Sequence, residues 1–383
     1  MKATAISWRV LLMSALLVQG FLAGTAGSNE LSDFPSLVSS LRPDPSLEFC
    51  GGRVPLENHD VRERFEKELL LTLWDRSQVI LWLKRSRRYL PHIEQMLKVN
   101  GLPDDIKYVA VAESALRPHA GSNKGAMGFW QFMADTGRKY GLNVNAYVDE
   151  RRNIFASTAA AIRYLKDLYL KFGSWELAAA AYNMGEEGLM AEILEQDTKN
   201  YYQLYLPLET QQYIFRILSV KLILLDPEKY GFKLADDDYY PPLEYDQVQV
   251  DCRQETPIRI VAQAANTYFK AIKDLNPELR GHYLREGPHK ILIPKGASED
   301  FQNRYEKLAA KYLSARKEKV YIVKKGDNLS VIAEKFDVPL AALIIWNRID
   351  LKRPIHPGQR LIIYAEEIKA DEPETAEEEG SSG

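Results

Sequence analysis

Two cysteines and six histidines in 383 residues are too few for a zinc array. No CxxC pair occurs and no two histidines stand at HExxH spacing, so the sequence calls for no metal and no cofactor. Basic charge is not in surplus either: 50 Lys and Arg face 53 Asp and Glu, a net charge of −3. Proteins that neutralise nucleic-acid phosphates carry a basic excess, so nucleic acid is not an expected partner. Long apolar runs are also scarce, and the one that stands out is at the N-terminus. What remains is ordinary globular composition, 46% hydrophobic and 27% charged, which argues against a mostly disordered chain. At about 150 residues per domain, the length suggests two or three domains.

Lys2 and Arg9 precede an apolar run from Val10 to Ala26, whose end Ala23-Gly24-Thr25-Ala26, with Gly27, is rich in small residues. That layout over residues 1–27 reads as a secretory signal; an uncleaved, membrane-associating anchor is the alternative. Export to the periplasm or cell envelope is therefore expected. An oxidising compartment permits Cys50 and Cys252 to pair, and two unpaired thiols is the other reading.

Residues 28–57, rich in Ser, Pro and Gly, read as a linker. From 58 to 232 the apolar spacing is helical, with Asp104 and Ser174 placed to cap helices and Gly173 and Gly185 to stop them. No sustained β alternation appears there. After a Pro- and Asp-rich run the pattern becomes β-α-α-β over 318–365, a very small unit. A second copy lies upstream at 248–296: Val261, Thr267, Ile272, Leu275 and Asn276 repeat the spacing of Ile332, Val338, Leu343, Trp346 and Asn347. Glu255-Thr256 stands there in place of the turn Gly326-Asp327. The acidic tail 366–383 reads as disordered.

Glu113 is the position that carries chemistry. It falls on the stripe Ile106, Val109/Ala110, Glu113, Leu116, where an apolar residue belongs. Desolvation raises a carboxyl pKa, and a carboxylic acid kept protonated near neutrality can protonate a leaving oxygen. A structural ion pair is the plain alternative. Gly125 to Met133 combines small residues, aromatics and Gln131, a composition suited to a sugar and its acetamido group, or to a packed turn. Ala181-Tyr182-Asn183-Met184-Gly185 closes a helix with a phenol and an amide. These strings bring no acidic partner for Glu113 except Glu186 and Glu187, just past the last of them.

In order and spacing, Glu113-Ser114, Ser122, Gly125 to Met133, Ala181 to Gly185, and Glu209-Thr210 with Tyr213 resemble the soluble-lytic-transglycosylase-type enzymes, over about 95–230. Gly326-Asp327-Asn328-Leu329, Ile332-Ala333, Val338, Asn347 and Pro357-Gly358-Gln359 resemble a LysM peptidoglycan-binding module. The resemblance implies a mainly α, lysozyme-like helical catalytic domain plus small α+β LysM modules. It implies non-hydrolytic cleavage of the β-1,4 bond between N-acetylmuramic acid and N-acetylglucosamine in peptidoglycan strands. Glu113 would be the single acid and base, giving a 1,6-anhydro product, with Tyr182 orienting its carboxyl or steadying charge on the sugar. Ser122, Gln131 and Met133 would line sugar subsites, supported by Asn183; Glu209 and Tyr213 would contact substrate or pack helices. Two positions depart from the pattern: Trp130 stands where many relatives have Met, and Asn328 where LysM modules often have Thr. In the LysM unit the loops Gly326 to Leu329 and Asn347-Arg348-Ile349 would hold glycan, whereas the upstream copy reads as a spacer rather than a binder. The competing readings are a goose-type-like muramidase hydrolysing the same bond and a non-catalytic wall-binding scaffold.

Overall fold

The computed structural model describes residues 36–42, 46–315, 318–351 and 353–364. The signal and tail readings, 1–27 and 366–383, lie outside the described residues. The described residues divide into two compact units, those up to Val144 with Arg151–Leu243, and Asn145–Glu150 with those from Glu244 onward.

The first unit is helical. After a single helical turn at Leu37–Ser40, its main helices are α1 (His59–Trp74), α2 (Arg76–Val99), α3 (Lys107–Ser114), α4 (Ala134–Lys139), α5 (Ile154–Phe172), α6 (Trp175–Met184), α7 (Glu186–Gln196) and α8 (Leu208–Leu225). The starts are set by side-chain caps: Asn58 accepts from Asp60 N, Asp75 from Gln78 N, Asn153 from Phe155 N and Ala156 N, and Ser174 from Leu177 N. Asp104 departs from its expected capping role. A 3-10 turn, Asp104–Ile106, precedes α3, and the Asp104 carboxylate pairs with Lys107 Nζ at 2.5 Å. Gly173, at φ +80°, ends α5 as expected.

Helix α8 is the axis of this unit. Thr210, Tyr213, Ile214, Phe215, Ile217, Leu218, Ser219, Val220 and Ile223 are all buried, which leaves it little polar face. It packs against α1, α3 and α6. The linker reading of 28–57 fails at its C-terminal end. Strands β1 (Glu48–Phe49) and β2 (Gly52–Arg53) form a small hairpin, and Leu47, Phe49, Val54 and Leu56 enter the helical core. Four apolar side chains within ten residues had enough area to dock, whatever the surrounding Pro and Gly content.

The second unit contains the repeat. In the first module β3 (Tyr245–Cys252) pairs antiparallel with β6 (Gly287–Pro294) around α9 (Ile258–Ala264) and α10 (Phe269–Leu275). A two-residue ladder joins β4 (Thr256–Pro257) to β5 (Tyr283–Leu284), and α11 (Phe301–Ala315) packs on α9. The second module pairs β7 (Glu318–Ile322) with β8 (Arg360–Tyr364) around α12 (Leu329–Lys335) and α13 (Leu340–Asn347). One buried asparagine shows that the repeat is three-dimensional. Asn276 donates to Ile272 O and Leu292 O, both at 2.7 Å, and accepts from Leu292 N at 2.8 Å. Asn347 makes the same three bonds with Leu343 O, Ile362 O and Ile362 N at 3.0, 2.8 and 2.6 Å. Each asparagine ties the end of the second helix to the closing strand, which a small core could not secure alone.

Cys50, in the first unit, and Cys252, in the second, are both free thiols in this structure. Cys252 is buried in the first module's core, its Sγ 3.5 Å from the Tyr305 hydroxyl. Among the described residues no helix is long and apolar enough to cross a membrane.

Candidate active site

A cleft of about 640 Å³ opens in the helical unit, lined by residues that include Glu113, Ser122, Gln131, Met133, Tyr182, Asn183 and Glu209. Seven of the eight candidates for this unit thus share one cavity; the eighth, Tyr213, lies behind it, buried.

Glu113 sits in the last turn of α3. The helix stops just beyond it because Ala115 and Leu116 both adopt left-handed backbone, at φ +54° and +56°. Arg117 Nε caps the freed Ser114 carbonyl at 3.1 Å, and Arg85 Nη1 that of Ala115 at 3.1 Å. Burial pushes the Glu113 pKa up to about 7, against a hydrogen bond from Tyr213 and the Arg216 charge, which pull it down; Glu209 pushes it further up. Burial therefore favours the protonated acid well above the ordinary carboxyl range.

Of the two tyrosines, the one expected to orient the acid makes its hydrogen bond elsewhere. The Tyr182 hydroxyl donates to the Trp130 carbonyl at 2.6 Å. It is the Tyr213 hydroxyl, on α8, that donates to Glu113 Oε1. Tyr182 instead stands in an aromatic wall, its ring 5.3 Å from Tyr164 and 6.0 Å from Phe132. Burial raises the pKa of both tyrosines well above normal, so each remains a donor.

The loop between α3 and α4 forms the rest of the cleft. Ser122 Oγ accepts from Ala126 N at 3.0 Å, closing a turn. Gln131, itself left-handed at φ +47°, donates Nε2 to Ala120 O and Gly128 O at 3.0 and 2.8 Å. Its amide nitrogen thus holds the loop, and only the carbonyl end remains to meet a ligand. Arg151 Nη1 ties Gly125 O and Phe132 O at 3.0 and 3.1 Å. Gly128, at φ +84°, could not carry a side chain, since a Cβ would lie 1.8 Å from Arg151 O. Trp130 is fully buried and donates to Thr158 Oγ1 at 2.9 Å, so its difference from the family pattern falls in the core rather than in the cleft. Asn183 Oδ1 accepts from Thr210 Oγ1 at 2.8 Å, joining α6 to α8.

Of the acids singled out by proximity in sequence, Glu186 is held by Lys171 and Lys139 at 3.1 and 3.4 Å, and those bonds lower its pKa. The acid that does share the cleft with Glu113 is Glu209, in the first turn of α8. Tyr164, Lys124 and Thr136 also line it, and sequence reasoning missed all three. Tyr164 lies on the amphipathic helix α5, where nothing separates a cleft aromatic from a core one; Lys124 lies between Ser122 and Gly125, where its position is the one available signal. Among the described residues no cluster of His, Cys, Asp or Glu could hold a metal ion.

In the second module several candidate glycan contacts serve the fold. Asp327 Oδ2 accepts from Tyr321 OH and Lys324 N, both at 2.7 Å, and the Lys324 bond leads in lowering its pKa. Asn328 caps α12 by accepting from Val331 N at 2.9 Å, the role a Thr would fill. Leu329 and Ile349 pack against the module's core, and Asn347 braces β8. Gly326 is exposed, with φ +91°. The Arg348 side chain pairs with Glu255 and lies 4.1 Å over the Tyr147 ring.

Comparison with known proteins agrees with this organisation. The Transglycosylase SLT domain family matches residues 91–205, the LysM domain family 321–363, and the family described as "Lytic transglycosylase MltD, LysM-like domain" 244–310. Membrane-bound lytic murein transglycosylase D of Escherichia coli, in strain K12 and in O6:H1 alike, is 31% identical over 402 residues, spanning 95% of this chain and 85% of the relative. An inactive E503Q mutant of lytic transglycosylase Slt from Pseudomonas aeruginosa aligns over 40% of this chain and 26% of its own at 24% identity, with a TM-score of 0.30. The extent and identity of the first match establish that the chain belongs to the membrane-bound lytic murein transglycosylase D family.

Proposed function

We propose that the protein is a peptidoglycan lytic transglycosylase that cleaves the N-acetylmuramic acid β-1,4-N-acetylglucosamine bond without water, with Glu113 as the only acid and base. The observation that carries this reading is Glu113 in the cleft with a pKa near 7. Below that value the carboxyl is protonated and gives its proton to the glycosidic oxygen as the C1–O bond breaks. The resulting carboxylate then takes the proton of the muramyl C6 hydroxyl as that oxygen bonds to C1, closing the 1,6-anhydro ring and restoring the acid. Tyr213 stabilises the carboxylate between the two steps. Tyr182 acts through its ring and through the Trp130 carbonyl it holds, while Ser122, Gln131, Met133, Asn183 and Glu209 border the sugar subsites.

One observation favours a second reading. Hydrolytic glycosidases use a second carboxylate roughly 5–9 Å from the first, and Glu209 puts one in the same cleft. A muramidase would leave reducing muramic ends, a transglycosylase anhydro ends.

The C-terminal LysM module would retain the enzyme on glycan and raise the local concentration of cleavable bonds. The N-terminal signal pattern and the murein substrate support a location at the cell envelope, either released or held at the membrane. Glu113→Gln should abolish clearing of purified walls while wall binding persists. A variant that still cleaves would refute the assignment of the acid.

A further inference from the structure

The second unit includes six residues that the chain supplies from far upstream, 145–150. They lie against the first module at the loop after α10. The two asparagines make the same three hydrogen bonds, so Asn276-Pro277-Glu278 corresponds to Asn347-Arg348-Ile349, the loop assigned to glycan in the second module. In the first module that loop is already occupied. Val148 forms an antiparallel bridge with Leu279, and Asp149 N donates to Glu278 O at 2.8 Å. Arg280 N donates to Tyr147 O at 2.7 Å, and Arg280 Nη1 to Asn145 O at 3.0 Å. Val148 packs on the module's core, and Asp149, Glu278 and Leu279 are buried. The segment is shaped for this place: Asn145 Oδ1 accepts from Tyr147 N and Val148 N at 2.8 and 3.0 Å, which turns the chain so that Val148 and Asp149 meet the loop edge.

We propose that residues 145–150 are the permanent occupant of the first module's glycan-type loop, so that of the two LysM repeats only the C-terminal one is free to take N-acetylglucosamine oligomers. The assignment of glycan to the second module rests on the function proposed above; the occupation of the first does not. A neutral sugar would have to displace backbone hydrogen bonds that lie in a buried ladder and re-expose Val148, and it brings no charge to offset either loss. In the second module the corresponding loop meets the same segment only through the Arg348 side chain, which lies over the Tyr147 ring and pairs with Glu255, while Gly326 and Asn328 stay exposed. Loss of the Gly-Asp turn in the first module, where Glu255-Thr256 stands instead, fits a loop pair no longer used for a ligand.

Hydrogen exchange on the full-length chain carrying Glu113→Gln, with and without chitopentaose, tests this. Without sugar the amides of Asp149 and Arg280 should already exchange at least tenfold more slowly than an exposed loop, and sugar should leave 276–280 unchanged. Sugar should slow exchange severalfold in 324–330 and 347–350. Sugar-dependent slowing within 276–280, or rapid exchange of Asp149 and Arg280 in its absence, would overturn the proposal. If 276–280 is protected but neither module responds to sugar, the occupied loop stands and the glycan reading of the second module falls. As a second arm, Val148→Asp should accelerate exchange at 278–280 at least tenfold while peptides from α12 and α13 do not change; no acceleration would contradict the occupancy.

Discussion

The inner and outer parts of the catalytic cleft are built by different means. Glu113, Tyr213 and the Arg216 charge come from two helices, α3 and α8, whose contact is fixed by core packing. Ser122, Gln131 and Met133 come from one loop, held by its own backbone ties and by Arg151, and Met133 is 45% exposed. The difference separates two demands. An acid near pH 7 needs a low-dielectric setting that only packed helices supply. A sugar lattice needs shaped, accessible surface, which a rigid loop provides.

That division orders the expected effects of mutation. Glu113→Gln, which removes the proton donor itself, should lower kcat on purified walls by about a thousandfold or more. Tyr213→Phe removes a hydrogen bond to an ionisable partner, worth about 1.5–3 kcal/mol, so kcat should fall ten- to a hundredfold. Because that bond favours the carboxylate, its loss raises the Glu113 pKa, and the alkaline limb of the pH–rate profile should move to higher pH. Glu209→Gln should move the same limb the other way, since Glu209 raises the Glu113 pKa and its removal makes the proton leave earlier. Opposite shifts from the two variants would sharpen the assignment; equal shifts would break it. Met133→Ala, at the exposed rim, should raise KM a few-fold and leave kcat and the pH profile in place. If it shifted the alkaline limb, the inner and outer parts would not be separable.

Much of the helical site could be read from spacing. A glutamate on an apolar stripe, a glycine-rich aromatic loop and a Tyr-Asn helix end are local signals, and the structure brings Glu113, Gln131, Tyr182 and Asn183 to one cavity. The repeat was legible for a similar reason: Asn276 and Asn347 keep their register, and both brace a closing strand. What spacing could not resolve is which tyrosine meets the acid. Tyr182 and Tyr213 sit on different helices, and only the approach of α8 to α3 decides between them. Glu186 directly follows the Ala181 to Gly185 string, yet two lysines claim it, whereas Glu209 reaches the cleft from the start of α8. The contact of 145–150 with 278–280 left no trace in composition, because it is made largely through the backbone.

The central claim is that Glu113 alone drives cleavage and that the C6 hydroxyl, not water, attacks C1. Mass spectrometry of muropeptides released from purified sacculi in ¹⁸O-labelled water tests it directly. The account predicts 1,6-anhydro-muramyl ends carrying no ¹⁸O at C1; reducing muramic ends labelled with ¹⁸O would contradict it.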